Sequence, residues 1–210
     1  SDPSWENHRA LFEYAGFTVN NYPYYDESTH GVNFEAMMAA LKKLPAGAIV
    51  VLHACCHNPT GADLSPAQWE RVIEVVNARG LVPFLDIAYQ GFAEGLDADA
   101  AAVRRFAQAA VQFFFKSLSL YGERVGALSI ATGSADEAAR VLSQVKRVIR
   151  TNYSNPPLFG GQTVAAVLTT PELRKLWDVE LGQMRDRIKT MRRLFVEKIR
   201  AIRADFDFSF

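Results

Sequence analysis

The apolar run Phe113-Phe-Phe115 delivers a lysine, Lys116, and an arginine, Arg124, follows it closely. A lysine at the end of a buried strand is disfavoured as an ammonium, because desolvation penalises the charged form. The same desolvation leaves a free amine that attacks an aldehyde. Arg124 offers a planar fork suited to a phosphate. An amine for an aldehyde and a guanidinium for a phosphate together point to pyridoxal phosphate. Three more polar side chains stand where apolar, β-branched runs end: Asn58 after Ile49 to His53, then Asp86 and Tyr89 on the next run. In an open α/β sheet ligands sit at the C-terminal ends of the strands, so these positions share one rim. Each also has an ordinary role: Asn58 as a turn residue, Asp86 as a helix cap, Tyr89 and Trp5 as packing, Arg124 as a surface ion-pair partner. Their order and spacing together carry the case.

The elements that must position them read in order. A turn at Asp2-Pro-Ser opens a short helix that Gly16 stops. Phe17 to Tyr22 reads as a short strand, and Asn33 caps a helix toward Leu44. Ile49 to His53 predicts a strand buried on both faces. Asn58-Pro-Thr-Gly61 is loop punctuation. Ser65-Pro-Ala-Gln68 is a capping box with proline at the first helical position, predicting a helix to Arg79 ahead of Gly80. Val82 to Asp86 predicts a strand, Ala98 to Ala110 a helix, and Phe113–Phe115 and Val125–Ala131 two further strands. Ser134 with Glu137 opens a helix toward Arg150, which Asn155-Pro-Pro157 breaks. A small-residue helix follows over Gly161 to Leu168. Thr170-Pro-Glu then starts a long amphipathic helix to about Arg203, and Asp205 to Phe210 alternates like a strand. Strand–helix alternation predicts an α/β domain with a mostly parallel sheet over residues 1–170. Residues 171–210 are expected to lead into a second, smaller domain.

Composition narrows the class. Among 210 residues 49% are hydrophobic, enough for a substantial core and against disorder. Lys+Arg 23 balances Asp+Glu 23, which argues against a nucleic-acid or membrane-surface partner. No apolar run is long enough to span a bilayer. Cys55 and Cys56 are adjacent and imply no disulfide framework, so a reducing, cytoplasmic setting is expected. With His53 and His57 they could suggest zinc, but adjacent cysteines converge poorly on one ion, and no metal is expected. The basic residues of the long helix, Arg185, Arg187, Lys189, Arg192 and Arg193, read as a solvated face. The chain opens without methionine and stops inside a strand-like pattern, so it reads as cut from something longer.

Taken in order, Ser4-Trp5 with His8, Asn58-Pro-Thr-Gly61, Asp86-Ile-Ala-Tyr89-Gln-Gly-Phe92, Lys116, Tyr121-Gly-Glu-Arg-Val-Gly126 and Arg150 before Tyr153-Ser-Asn-Pro-Pro157 resemble the class I, fold-type I pyridoxal-phosphate-dependent aminotransferases of the aspartate/aromatic subgroup. The resemblance implies a three-layer αβα large domain and a homodimer with composite active sites. It implies that Lys116 forms the internal aldimine and shuttles the proton, while Asp86 pairs with the pyridinium nitrogen. His8 would support that carboxylate. Asn58 and Tyr89 would hydrogen-bond the cofactor's phenolic oxygen, Trp5 would stack on its ring, and Arg124 would clamp its phosphate. Arg150 would reach the neighbouring subunit's site and meet the distal carboxylate of a dicarboxylic substrate. Trp5 and Asn58 would also border the substrate. Ser119-Leu-Tyr-Gly-Glu-Arg resembles the bacterial aromatic-amino-acid enzymes more than the aspartate enzymes. The implied reaction is ping-pong transamination between an aromatic or dicarboxylic L-amino acid and 2-oxoglutarate, with aspartate aminotransferase as the alternative.

Three departures bear on that reading. The family's Ser-x-Ser before the lysine is replaced by Phe113 and Phe115. From Asp86 to Lys116 the chain is about five residues shorter than the family pattern, and a deletion at a strand end would carry the lysine far beyond what catalysis tolerates. The family's N-terminal phosphate-binding loop and its C-terminal carboxylate-binding arginine have no counterpart here. A non-catalytic fragment or paralogue, serving as a binding or dimerisation module, is the rival these departures support.

Overall fold

The structure, a computed structural model, describes residues 1–106, 110–205 and 208, with backbone alone for 110–115. Helix α1 (Glu6–Tyr14) opens the chain and ends at Ala15 before Gly16, whose φ of 88° provides the left-handed stop. The strand expected over Phe17 to Tyr22 does not form. That segment runs extended beside α1, where Arg9 donates to the carbonyl of Val19 and to Asn21, and the Tyr22 hydroxyl donates to the carbonyl of Val51. Side chains rather than a ladder hold it. Two short strands follow instead, β1 (Tyr25–Asp26) and β2 (Gly31–Val32), paired antiparallel. Helix α2 (Phe34–Leu41) comes next.

Strand β3 (Ile49–His53), helix α3 (Pro66–Arg79) and strand β4 (Val82–Ile87) form a right-to-expectation βαβ unit. Ser65 accepts from the Gln68 amide and Gln68 returns to the Ser65 amide, so the capping box is closed, and Gly80 ends the helix at φ 60°. Trp69, Val72, Ile73 and Val76 recur at helical spacing on α3 and are buried against Met37, Met38 and Leu41 of α2 and against Val50, Leu52, Leu85 and Ile87 of the sheet. This is the core.

The helix expected over Ala98 to Ala110 is absent as such. Its place holds a one-turn helix α4 (Leu96–Asp99) and a 3-10 turn (Val103–Arg105), while residues 107–109 lie outside the described residues and Ala110 already begins strand β5 (Ala110–Phe114). The Asp99 carboxylate is turned back onto the loop that precedes α4. Strands β3, β4 and β5 are parallel. Strand β6 (Gly126–Ile130) closes the row antiparallel to β5, giving the order β3-β4-β5-β6. Helix α5 (Ala135–Asn152), capped by Ser134, helix α6 (Leu158–Thr169) and the long helix α7 (Pro171–Ile202) complete the fold. The strand-like tail from Asp205 lies mostly outside the described residues. No helix among them is long and apolar enough to cross a membrane.

Candidate active site

The site begins with a match of two periodicities. Along α1, His8 and Phe12 are four residues apart and share a face, a rise of roughly 6 Å. Along β4, Phe84 and Asp86 are two residues apart and share a face, a rise of about 6.6 Å. The helix therefore lies on the strand with both pairs in contact. Phe12 meets Phe84 edge-on with centroids 5.5 Å apart, and His8 Nε2 donates to Asp86 Oδ2 at 2.8 Å. A carboxylate can only accept, so the proton of this bond sits on the imidazole. Ser4 Oγ lies 3.4 Å from His8 Nδ1 and extends the chain to the surface. Asp86 is 5% exposed, and its second oxygen, Oδ1, is buried without a hydrogen-bond partner among the described residues. An acid carrying an unused acceptor is aimed at whatever lies before it.

Before it lies a cavity of about 580 Å³ whose walls include Trp5, Asn58, Asp86, Tyr89, Lys116 and Arg124. The residues singled out in the sequence thus converge, with two exceptions. His8 stands behind Asp86 rather than on the wall. Arg150 sits near the C-terminal end of α5, donating to the Ser154 hydroxyl, and does not line the cavity.

Lys116 lies in the 3-10 turn Phe115–Leu118 that follows β5. Its amine donates to the Tyr89 hydroxyl at 3.0 Å and rests 4.2 Å from the centre of that ring. Two expectations are corrected here. Lys116 is exposed to the open cavity, not desolvated at a buried strand end, because the chain turns before reaching it. The shortened stretch ahead of it also does not throw it out of place, since its amine reaches the cavity that Asp86 faces. The departures at Phe113 and Phe115 fall on side chains outside the described residues. Arg124 takes the left-handed region, φ 51°, in the turn after Tyr121, with its guanidinium 5.4 Å from the Tyr121 ring.

The loop from β3 supplies Asn58. Asp63 organises it by accepting from the amides of Cys56 at 2.7 Å and His57 at 2.8 Å. Burial pushes the Asp63 carboxyl up, against those two bonds. The Asn58 backbone N–H donates to His53 Nδ1 at 3.1 Å, so the His53 proton resides on Nε2, a second buried atom on the cavity wall that has no partner among the described residues. Burial, with His57 and His8 close by, holds His53 down to about 3, and burial holds His57 down to about 4, so both are neutral. The Cys55 thiol is pushed up by its hydrogen bond with Cys56 and by burial, and it stays protonated. Among the described residues no group of His, Cys, Asp or Glu is placed to hold a metal ion.

Sequence reasoning passed over three residues that the structure brings in. His53 entered only as a metal candidate, although its place at the C-terminal end of a strand was signal enough. Ser119, on the cavity wall, entered only as the first residue of a subgroup motif and not as a site residue. Trp177 on α7 donates through Nε1 to the carbonyl of Ser117 at 3.0 Å, so the long helix holds the turn that carries Lys116. Nor is the basic face of α7 simply solvated: Arg185 donates to the carbonyl of Gly91 and Lys189 pairs with Glu94, both at 2.9 Å. The arrangement can seat a small planar ligand that donates one N–H to a buried carboxylate, offers an electrophilic carbon to an amine and carries an anion toward a guanidinium.

Comparison with known proteins agrees with that chemistry. The family model described as aminotransferase class I and II matches residues 1–210. The chain is 64% identical to the aspartate aminotransferase of Pseudomonas aeruginosa, over all of this chain and 54% of that protein. It is 54% identical to the aromatic-amino-acid aminotransferase of Escherichia coli, over 94% of this chain and 51% of that one. A crystal structure of the aromatic-amino-acid aminotransferase from Burkholderia pseudomallei, covalently bound to pyridoxal phosphate, superposes with a TM-score of 0.95 at 67% identity, covering 99% of this chain and 53% of that one. The chain spans about half the length of the relatives it matches. Its alignment to the Pseudomonas protein runs over 215 positions against 210 residues here, which agrees with a chain about five residues short of the pattern.

Proposed function

The chain belongs to the class I and II aminotransferases, and on that basis we propose that the protein transfers amino groups between an aromatic or dicarboxylic L-amino acid and 2-oxoglutarate, using pyridoxal phosphate. The observation that carries the proposal is the unpartnered Oδ1 of Asp86, buried on the wall of the cavity that also holds the Lys116 amine. A buried acceptor left unsatisfied is costly, and a ligand N–H would relieve it. The cavity volume is in the range of small-ligand sites. The residues present therefore fit the cofactor.

When bound, pyridoxal phosphate supplies an aldehyde for amine exchange and a ring that accepts electrons. Asp86 would accept the ring N–H through Oδ1, with its other oxygen fixed by His8. Lys116 would provide the amine and later carry a proton, held on the cavity side by the Tyr89 hydroxyl. Asn58 and Tyr89 would donate to the ring oxygen, Trp5 would cover a ring face, and Arg124 would take the phosphate. We assign Arg150, outside the cavity of its own protomer, to the substrate's distal carboxylate in the neighbouring protomer of a homodimer. We further assign residues 1–170 to a cofactor-binding domain, α7 to the link with a smaller domain, and the protein to the cytoplasm.

The test uses the full-length protein. Loaded with pyridoxal phosphate, it should show a cofactor absorbance band that changes on adding tyrosine or aspartate, and Lys116→Ala should abolish turnover. Wild-type turnover by that variant would overturn the assignment of Lys116. The rival, a non-catalytic binding module, draws on the shortened stretch before Lys116 and on the absent flanking parts, and it predicts cofactor binding without amino transfer. Comparison of tyrosine with aspartate as donors separates the aromatic from the aspartate reading.

A further inference from the structure

We propose that Asp99 is a positioning residue for Tyr89: its buried carboxylate gathers the loop that follows the tyrosine and so sets where the hydroxyl meets Lys116. This rests on the reading of the cavity as an active site.

Asp99 is 5% exposed at the end of α4. Its Oδ2 accepts from the amides of Gly91 at 2.7 Å and Ala93 at 3.2 Å. Its Oδ1 accepts from the amides of Glu94 at 2.9 Å and Gly95 at 3.3 Å. All four donors belong to the segment just after Tyr89 and Gln90, which has left the β-ladder and has no strand partner for them. A carboxylate suits four converging donors because both oxygens only accept; an amide would turn an N–H against one of them. From the other side α7 clamps the same segment. Leu181, 0% exposed, occupies the space that a Cβ on Gly91 would enter, and Arg185 holds the Gly91 carbonyl. Gln90 donates to the carbonyl of Leu96 at 2.9 Å, tying the start of the loop to α4 as well. The loop is thus fixed from two sides, and Tyr89 stands at its entrance with its hydroxyl 3.0 Å from the Lys116 amine. Losing Asp99 would strand four amides and let the entrance shift.

The experiment compares full-length wild type with Asp99→Asn, Tyr89→Phe and the double variant. Two quantities are read: amide hydrogen exchange of segment 89–95 in cofactor-free protein, and kcat/KM for amino transfer in the loaded enzyme. Asp99→Asn should speed exchange in that segment while leaving β3 and β4 protected. It should lower kcat/KM roughly 10- to 100-fold, the scale of a small misplacement near the chemistry. In the Tyr89→Phe background the same change should cost less than about 3-fold, because the two residues act as one unit. An equal loss in both backgrounds, or unchanged exchange in segment 89–95, overturns the proposal. If Asp99→Asn fails to fold, the cycle is run with Asp99→Glu, which keeps the charge but displaces it by one methylene; additivity there overturns the proposal equally. Absence of amino transfer in the wild type would instead refute the proposed function, and the exchange measurement would still decide whether Asp99 holds the loop.

Discussion

At the scale of single residues, the paired environment of Asp86 is the defining feature. One oxygen is held by His8 and the other is kept open. Asp86→Asn removes the charge from a charge-assisted contact, and the expected loss in kcat/KM is about 10- to 100-fold, to be read by steady-state kinetics of the loaded enzyme. His53 and His57 give a prediction about stability. Burial holds both below their unfolded value of 6.5, to about 3 and about 4. Below that unfolded value the unfolded chain takes up protons that the folded one refuses. Stability is therefore full above pH 6.5 and declines as pH falls toward the folded values, by about 1.4 kcal/mol per pH unit for each histidine. Denaturant unfolding at pH 7, 6 and 5 should show the decline, and His57→Asn should reduce its slope. A flat profile would contradict the assignment of neutral buried histidines.

At the scale of elements, α7 does more than link two parts of a chain. Trp177 grips the turn that carries Lys116, and Leu181 with Arg185 grips the loop after Tyr89. Gly91 is the position where this close approach demands glycine, since its φ is 95° and a methyl group would collide with Leu181. Gly91→Ala is expected to cost about 1–3 kcal/mol in chemical denaturation, from overpacking and an unfavourable backbone region together. Ser65→Ala, by contrast, opens only the capping box of α3, with an expected cost of about 1 kcal/mol and no change at the cavity.

At the scale of the whole molecule, apolar surface is distributed unevenly. The β3–β4 half is well covered by α1, α2 and α3, whereas every residue of β6 is exposed and α5 buries none of its side chains. Leu128, Leu142, Val148, Phe159, Leu176 and Phe195 are all exposed. Stable isolated domains rarely display so much apolar surface. These 210 residues on their own should bind a hydrophobic dye and associate into ill-defined larger species in sedimentation, whereas a chain of the relatives' full length should bind little dye and stop at a dimer. In that longer protein, Arg150→Leu is expected to lower activity toward aspartate about 10- to 100-fold while leaving tyrosine nearly unaffected, the loss of one charge-assisted bond to a single substrate class.

Much of the scaffold was legible because its signals are local. The β-branched run Ile49 to His53, the Ser65–Gln68 box and the stop at Gly80 are chosen by backbone propensity and hydrogen bonds a few residues long, and the structure keeps them nearly to the residue. Strand ends in an α/β sheet share a rim, so Asn58, Asp86 and Lys116 could be expected together from order alone. Other features depend on partners far apart in the chain and leave no local trace. His8 finds Asp86 across 78 positions, Trp177 finds Ser117 across 60, and Arg185 finds Gly91 across 94. One failure has the same origin: the extended segment after Gly16 found side chains, among them the Tyr22 bond to the carbonyl of Val51, instead of a neighbouring strand. Propensity selects what a segment can become, and packing between distant segments selects which of those states has its polar groups satisfied.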